Sequence, residues 1–288
     1  MKQDPRRPSR PRADSGAVGD LTPPPDFPST FPDPIEPDPM LATELDRARL
    51  IQSSLLPAQL PAVRGFDLAA RYLPATHVGG DYYDVLPLRG GRFGIVVADV
   101  SGKSVSAAMI MVMARTIFHG LAPAMASARA TVLEACERIT PDLPGGTFLT
   151  LAYGILDPET GSVSVVNCGH NPPLLWTTLK NRPMVETVPV NGPAIGLVRG
   201  SAFERALVER EIPLASGDHL LFHTDGVNEA MDVNANEFGD RQLVKAIMRG
   251  GTKDAGGMAQ EVVNAVLHHR GIAPASDDLT VLDVWRLP

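Results

Sequence analysis

Past residue 40 the apolar positions recur with two different periods. Leu41, Leu45, Ala48, Ile51 and Leu55 fall three or four apart, which predicts one helical face over 41–56 that Pro57 ends. Glu44 with Arg47, and Asp46 with Arg49, form i,i+3 pairs on the outside of that helix. From Phe66 the period changes to two: Phe66, Leu68, Ala70 and Tyr72 alternate with Asp67, Ala69 and Arg71, the pattern of a half-buried strand. Residues 93–100 read as a buried strand. Residues 103–119 read as a helix stopped by Gly120, and a second helix is predicted near 126–139. Phe148–Leu156 and Val163–Asn167 flank Asp157-Pro158-Glu159-Thr160-Gly161 and predict a hairpin. Further strands are expected at 174–177, 204–212, 218–224 and 279–286, and helices at 240–249 and 257–269. No internal repeat is present.

Strands come in hairpins and helices come in pairs between them. That order differs from the strict βαβ alternation of a doubly wound sheet and predicts an α+β sandwich of antiparallel sheets covered by helices. Residues 1–40 hold 11 of the 27 prolines and cannot sustain a helix or a ladder, so they read as a disordered proline-rich tail. The expected organisation is that tail, a helix and linker over 41–62, and a folded domain over 63–288.

The formal charge of −7 is unevenly spread: residues 1–14 carry about +3 and the remainder about −10. An acidic body counts against nucleic acid as a partner. The longest uninterrupted apolar run, Ala107 to Ala114, is eight residues, so no membrane span is expected, and the N-terminus has no apolar core of a secretory signal. Two cysteines, Cys136 and Cys168, are too few for a disulfide framework and lie in apolar-periodic segments. A cytoplasmic protein with buried thiols is expected.

The candidate chemistry lies in aspartates at the ends of apolar strands. Asp81 closes Gly79-Gly80-Asp81, Asp99 follows Ile95-Val96-Val97-Ala98, Asp225 follows Leu220-Leu221-Phe222-His223-Thr224, and Asp277-Asp278 precede Leu279-Thr280-Val281. A carboxylate at a buried strand tip needs a cation or several donors. Three or four such tips meeting in one fold would make an oxygen-rich pocket for hard divalent metals, which points toward metal-assisted hydrolysis. Ser101-Gly102-Lys103-Ser104 invites a phosphate-loop reading, but the first glycine of G-x-x-x-x-G-K-[ST] is missing, with Val97 in its place. His77, His119, His219, His223, His268 and His269 show no i,i+4 pairing with carboxylate help, which counts against zinc.

Six blocks in order resemble one family. They are Gly79-Gly80-Asp81-Tyr82-Tyr83-Asp84, Val97-Ala98-Asp99-Val100-Ser101-Gly102-Lys103, Asn167-Cys168-Gly169-His170-Asn171-Pro172-Pro173-Leu174, Gly192-Pro193-Ala194-Ile195-Gly196-Leu197, Thr224-Asp225-Gly226-Val227 and Asp277-Asp278-Leu279-Thr280-Val281. Together they are similar to the bacterial SpoIIE/RsbU-type serine/threonine phosphatases of the metal-dependent PPM class, over about residues 41–287. The resemblance implies a four-layer αββα sandwich of two mainly antiparallel sheets flanked by helices, with two divalent ions, Mn²⁺ or Mg²⁺, at one end. By motif, Asp99 would bridge both ions, Asp225 and Asp277 would hold one, and the Val100 carbonyl would help hold the other, with Asp81 acting there directly or through water. Asp84 and Asp278 match positions behind the ligands or alternate to them. The nucleophile would be a water on the metals held by Asp99, Asp225 and Asp277, attacking phosphorus in line without a phospho-enzyme.

The resemblance further implies a phosphorylated STAS-type anti-anti-sigma protein as substrate in a partner-switching pathway. Helix 41–56 would join two copies or receive an activator protein. A non-catalytic module of the same fold is the competing reading, and loss of a strand-tip aspartate would mark it; none is lost. Ser104 and Ser106 stand where the family usually has Gly and often Pro, so a positive φ required at 104 would disturb the second metal position, whereas a hydroxyl there would cap the following helix. His170 is expected to build a loop rather than bind an ion.

Overall fold

The continuous apolar run Ile95–Ala98 has both faces buried, and this sets the layering of the molecule. Its strand, β3 (Phe93–Val100), sends Ile95 and Val97 to one apolar layer and Val96, Ala98 and Val100 to another. In this computed structural model, which describes residues 39–288, Met40–Pro288 forms one compact unit. The tail expected over 1–40 falls, up to residue 38, outside the described residues.

Among the described residues, ten strands form two five-stranded sheets. They are β1 (Phe66–Leu73), β2 (Tyr82–Pro87), β3, β4 (Leu149–Asp157), β5 (Ser162–Cys168), β6 (Leu174–Leu179), β7 (Arg182–Thr187), β8 (Glu209–Pro213), β9 (His219–His223) and β10 (Leu279–Arg286). One sheet runs β1-β10-β9-β6-β7 and the other β2-β3-β4-β5-β8, with every pairing antiparallel. The helices are α1 (Pro39–Leu55), α2 (Val105–Leu121), α3 (Ala128–Ile139), α4 (Gly200–Ala206), α5 (Asp225–Asn228), α6 (Gly239–Gly250) and α7 (Ala255–Arg270). Met111, Ala114 and Phe118 of α2 and Val132 and Ala135 of α3 cover the β3 sheet, and Leu243 and Ile247 of α6 and Val262 and Val266 of α7 cover the β9 sheet. Leu220, Phe222, Leu282 and Val284 meet Val85, Ile95 and Val97 between the sheets. This is the expected αββα sandwich, with an apolar layer at each of its three interfaces.

Several expectations shift. Residues 204–212 do not form one strand: Gly200–Ala206 is a helix that buries Phe203, and only Glu209–Pro213 pairs, with β5. Gly120 does not stop α2, which runs on to Leu121. In α1 the buried residue is Gln52, while Ile51 is 64% exposed and Leu50 71%. Counting only uninterrupted apolar residues also understated α2, since Val105–Ala124 is long and apolar enough by length and composition to cross a membrane. Here it is the cover helix of a sheet, with Ala107, Ile110, Met111, Ala114 and Phe118 buried against the protein.

Candidate metal centre

Each candidate aspartate stands where a strand runs out, because the sandwich brings the ends of β3 and β9 and the start of β10 to one side. Asp99 is the penultimate residue of β3, Asp225 opens α5 directly after β9, and Asp277 lies two residues before β10. Their charges act on one another. Burial, and next the charges of Asp225, Asp277 and Asp278, push the Asp99 carboxyl up to about 8. Burial, then Asp277, raises Asp225 as well.

Asp81 is 2% exposed and accepts hydrogen bonds at its Oδ2 from Thr224 Oγ1 (2.8 Å) and Thr280 Oγ1 (2.5 Å). Burial and then the Asp99 charge raise its pKa. Gly80 fixes the closest approach: a Cβ there would lie 2.9 Å from the Val100 carbonyl oxygen and 3.3 Å from an Asp99 carboxylate oxygen. Only glycine lets these two oxygens converge.

Asp278 has a different environment. It accepts from Ala75 N–H (2.7 Å) and Gly80 N–H (2.8 Å), so it pins the loop that carries Asp81. A Cβ on Gly226 would overlap the Asp278 carbonyl oxygen, which explains the glycine after Asp225. Asp84 is held elsewhere: Tyr82 hydroxyl donates to it at 3.1 Å, and His119 Nε2 stands 2.7 Å from the same oxygen. Of the seven sequence candidates, Asp81, Asp99, the Val100 carbonyl, Asp225, Asp277 and Asp278 gather at one end, and the Asp84 side chain turns to α2.

The residues at Ser104 and His170 behave as structural parts. Ser104 has φ −148°, ordinary extended backbone, and its hydroxyl accepts from Ala107 N–H (3.4 Å) as the N-cap of α2. The positive φ of this loop falls on Gly102 (+96°), so serine at 104 carries no strain. His170 Nδ1 stands 2.8 Å from Thr150 Oγ1, its backbone N–H donates to Asn167 Oδ1, and burial lowers its pKa to about 3. It is a neutral loop residue.

Four further side chains contribute: Thr224, Thr280, Gln52 and Lys103. Thr224 and Thr280 stand inside the Asp225 and Asp277-Asp278 blocks, and that position was the available signal. Gln52 of α1 donates through Nε2 to Gly79 O (2.7 Å) and accepts from Gly79 N–H at Oε1 (2.9 Å), a contact with no local signature. Lys103 places Nζ 2.9 Å from Asp277 Oδ2.

All the gathered donors are oxygens, the set that suits Mg²⁺ or Mn²⁺ and not a soft metal. Among the described residues, no three His, Cys, Asp or Glu side chains stand close enough to share one ion as placed. In donor chemistry, in the space beside Gly80 and in the raised pKa values, the residues fit a hard cation.

Two antiparallel sheets between helical layers are the fold that this chain shares with PP2C-type phosphatase domains. The chain belongs to the family described as Stage II sporulation protein E (SpoIIE), which it matches over residues 89–286. It is 25% identical over 195 residues to the phosphoserine phosphatase RsbU of Bacillus subtilis, covering 67% of this chain and 56% of that one. The solved RsbU and RsbW domains of a Mycobacterium tuberculosis protein match at a TM-score of 0.69 and 28% identity, over 81% of this chain and 63% of theirs. The catalytic domain of the serine/threonine protein phosphatase PstP, solved in complex with two manganese ions, shares the fold at a TM-score of 0.54 and 13% identity, over 77% of this chain and 99% of its own. The chain spans about half the length of the curated relatives it matches.

Proposed function

We propose that this chain is a metal-dependent protein serine/threonine phosphatase. The observation that carries the reading is the convergence of Asp99, Asp225 and Asp277, with the Val100 carbonyl and Asp81 beside Gly80. Asp99 would bridge two ions, Asp225 and Asp277 would hold one, and the Val100 carbonyl would hold the other, with Asp81 acting directly or through water. Two Mn²⁺ or Mg²⁺ ions supply positive charge that neutralises phosphoryl oxygens and acidifies water. The protein's own part is orientation: Thr224 and Thr280 fix Asp81, and Asp278 fixes Gly80. Neither thiol is suited to be a nucleophile, because Cys136 and Cys168 are both buried and burial raises both pKa values.

The likeness to RsbU and to an RsbU–RsbW pair supports a phosphorylated STAS-type protein as substrate, in a partner-switching pathway within the cytoplasm. The competing non-catalytic module is disfavoured because every strand-tip aspartate is retained. The test is Mn²⁺-dependent phosphate release from a phosphoserine protein and from an aryl phosphate. Asp225→Ala is expected to lose roughly 10³-fold in rate, the several kcal/mol that a misplaced ion contributes. Equal rates in both proteins sink the two-metal reading, and inactivity of the parent with every metal and substrate favours the binding module.

The exposed Leu50 and Ile51 on α1 support a helix that pairs with a second copy or takes an activator protein. Its inner side, through Gln52, reaches the loop of Asp81. Ile51→Glu is expected to lower the mass seen in sedimentation or to abolish activation by an added partner; an unchanged mass and an unchanged activation refute this role.

A further inference from the structure

Lys103 occupies a position that neither the sandwich nor the metal reading requires. It follows Gly102 in the loop between β3 and α2, directly after Asp99 and Val100 at the end of β3. Its ammonium stands 2.9 Å from Asp277 Oδ2 and also donates to the backbone carbonyl of Ser276. One side chain thus ties the loop of Asp99 to the loop of Asp277. Among the described residues it is the one ion-pair partner that Asp277 has. Its charge also favours the ionised forms of Asp99, Asp225 and Glu229.

Asp277 Oδ1 accepts from Asp278 N–H (2.9 Å), so Lys103 sits on the other carboxylate oxygen, and an ammonium there weakens the hold of that carboxylate on a divalent ion. Two cations a few Å apart repel by about 1–2 kcal/mol even at the dielectric of water, and more in a partly buried site. Lys103 and an ion therefore compete for Asp277. Lys103 is suited to leave: its side chain is 51% exposed, its stem is flexible, and Gly102 before it already adopts φ +96°.

We infer that Lys103 is a tethered counter-ion that competes with a divalent ion for Asp277, so that entry of the ion displaces the Lys103 tether between the two acidic segments. The inference rests on the two-metal reading above and adds to it a residue that lowers metal affinity while holding the acidic loops together. The affinity for metal is then set partly by a residue that is not a ligand.

The test is calorimetric titration of the full chain with Mn²⁺, beside thermal unfolding in EDTA, for the parent, Lys103→Met and Lys103→Arg. Lys103→Met is expected to bind Mn²⁺ about fivefold tighter, the equivalent of one partly exposed ion pair. In EDTA the same variant is expected to melt lower, because Asp277 loses its counter-charge. Lys103→Arg keeps the charge and is expected to stay near the parent in both measurements. If the parent binds Mn²⁺ and Lys103→Met binds it no tighter, this inference fails alone. If the parent shows neither Mn²⁺ heat nor a Mn²⁺-dependent shift in melting, the metal reading fails and this inference with it. Retained circular dichroism in the Met variant keeps the comparison valid.

Discussion

The strands β9 and β10 carry ionisable groups at both ends, and the two ends obey opposite rules. At the start of β9, His219 Nδ1 stands 2.7 Å from Asp283 Oδ2, both side chains fully buried. The imidazole lies stacked on Trp285, with ring centroids 5.5 Å apart, and meets the edge of Trp176. Burial raises the Asp283 pKa, and the His219 hydrogen bond and charge oppose the rise. Just beyond the other end of β9, Asp225 joins Asp99 and Asp277, where carboxylate faces carboxylate and Lys103 is the neighbouring cation. The first end is a matched pair inside an apolar layer. The second is a surplus of negative charge that the apolar layers must hold together. Surplus charge of one kind in a partly buried place is what a site for a cation requires, and a matched pair is what a core tolerates.

Three measurements can break this contrast. Asp283→Asn leaves His219 buried beside a neutral partner and is expected to cost about 3–5 kcal/mol in urea unfolding, with Mn²⁺ affinity unchanged. A loss of Mn²⁺ affinity in that variant would mean the two ends are not independent. Asp225→Ala removes one of the repelling charges and is expected to raise stability in EDTA by about 1 kcal/mol while it abolishes the stabilisation that Mn²⁺ gives the parent. A fall in metal-free stability would show that Asp225 is a structural group.

The third measurement is the pH dependence of unfolding in EDTA. The folded Asp99 carboxyl at about 8 lies above its ordinary 3.8, so the folded protein holds a proton that the unfolded chain releases. That contribution is complete below about pH 4 and is lost as pH rises through about 8. His170 has the opposite sign: at about 3 against an ordinary 6.5, its contribution is present above 6.5 and is lost as pH falls toward 3. Asp99→Asn is expected to flatten the loss of stability toward alkaline pH, to which Asp81 and Asp225 also contribute, and to leave the acidic slope of His170. A slope unchanged in Asp99→Asn would place the titrating group elsewhere.

The elements legible in the sequence were those with a strong local period. The hairpin of β4 and β5, the alternation of β1 and the buried run of β3 all appear where the pattern put them. What was missed lacked such a pattern. Strand β7 lies at the edge of its sheet, with Arg182, Pro183, Glu186 and Thr187 exposed, so it shows little apolar alternation. Strand β2 is buried on both faces and hides inside a block dominated by Tyr and Asp. Helix α4 buries Phe203 and little else, and a single anchor does not declare a helical period.

The same division runs through the site. The order and spacing of the blocks around Asp81, Asp99, Asp225 and Asp277 were determined by the sequence alone, because each block is a contiguous strand end with its glycine or threonine beside it. That Asp84 turns to His119, that Gln52 grips Gly79 and that Lys103 meets Asp277 were decided only by tertiary structure. Those partners are separated by 35, 27 and 174 positions, and no local period encodes a contact between segments that meet only after the sheets have packed. A strand tip can be read from its own residues, whereas the neighbour of a side chain is set by how the layers close.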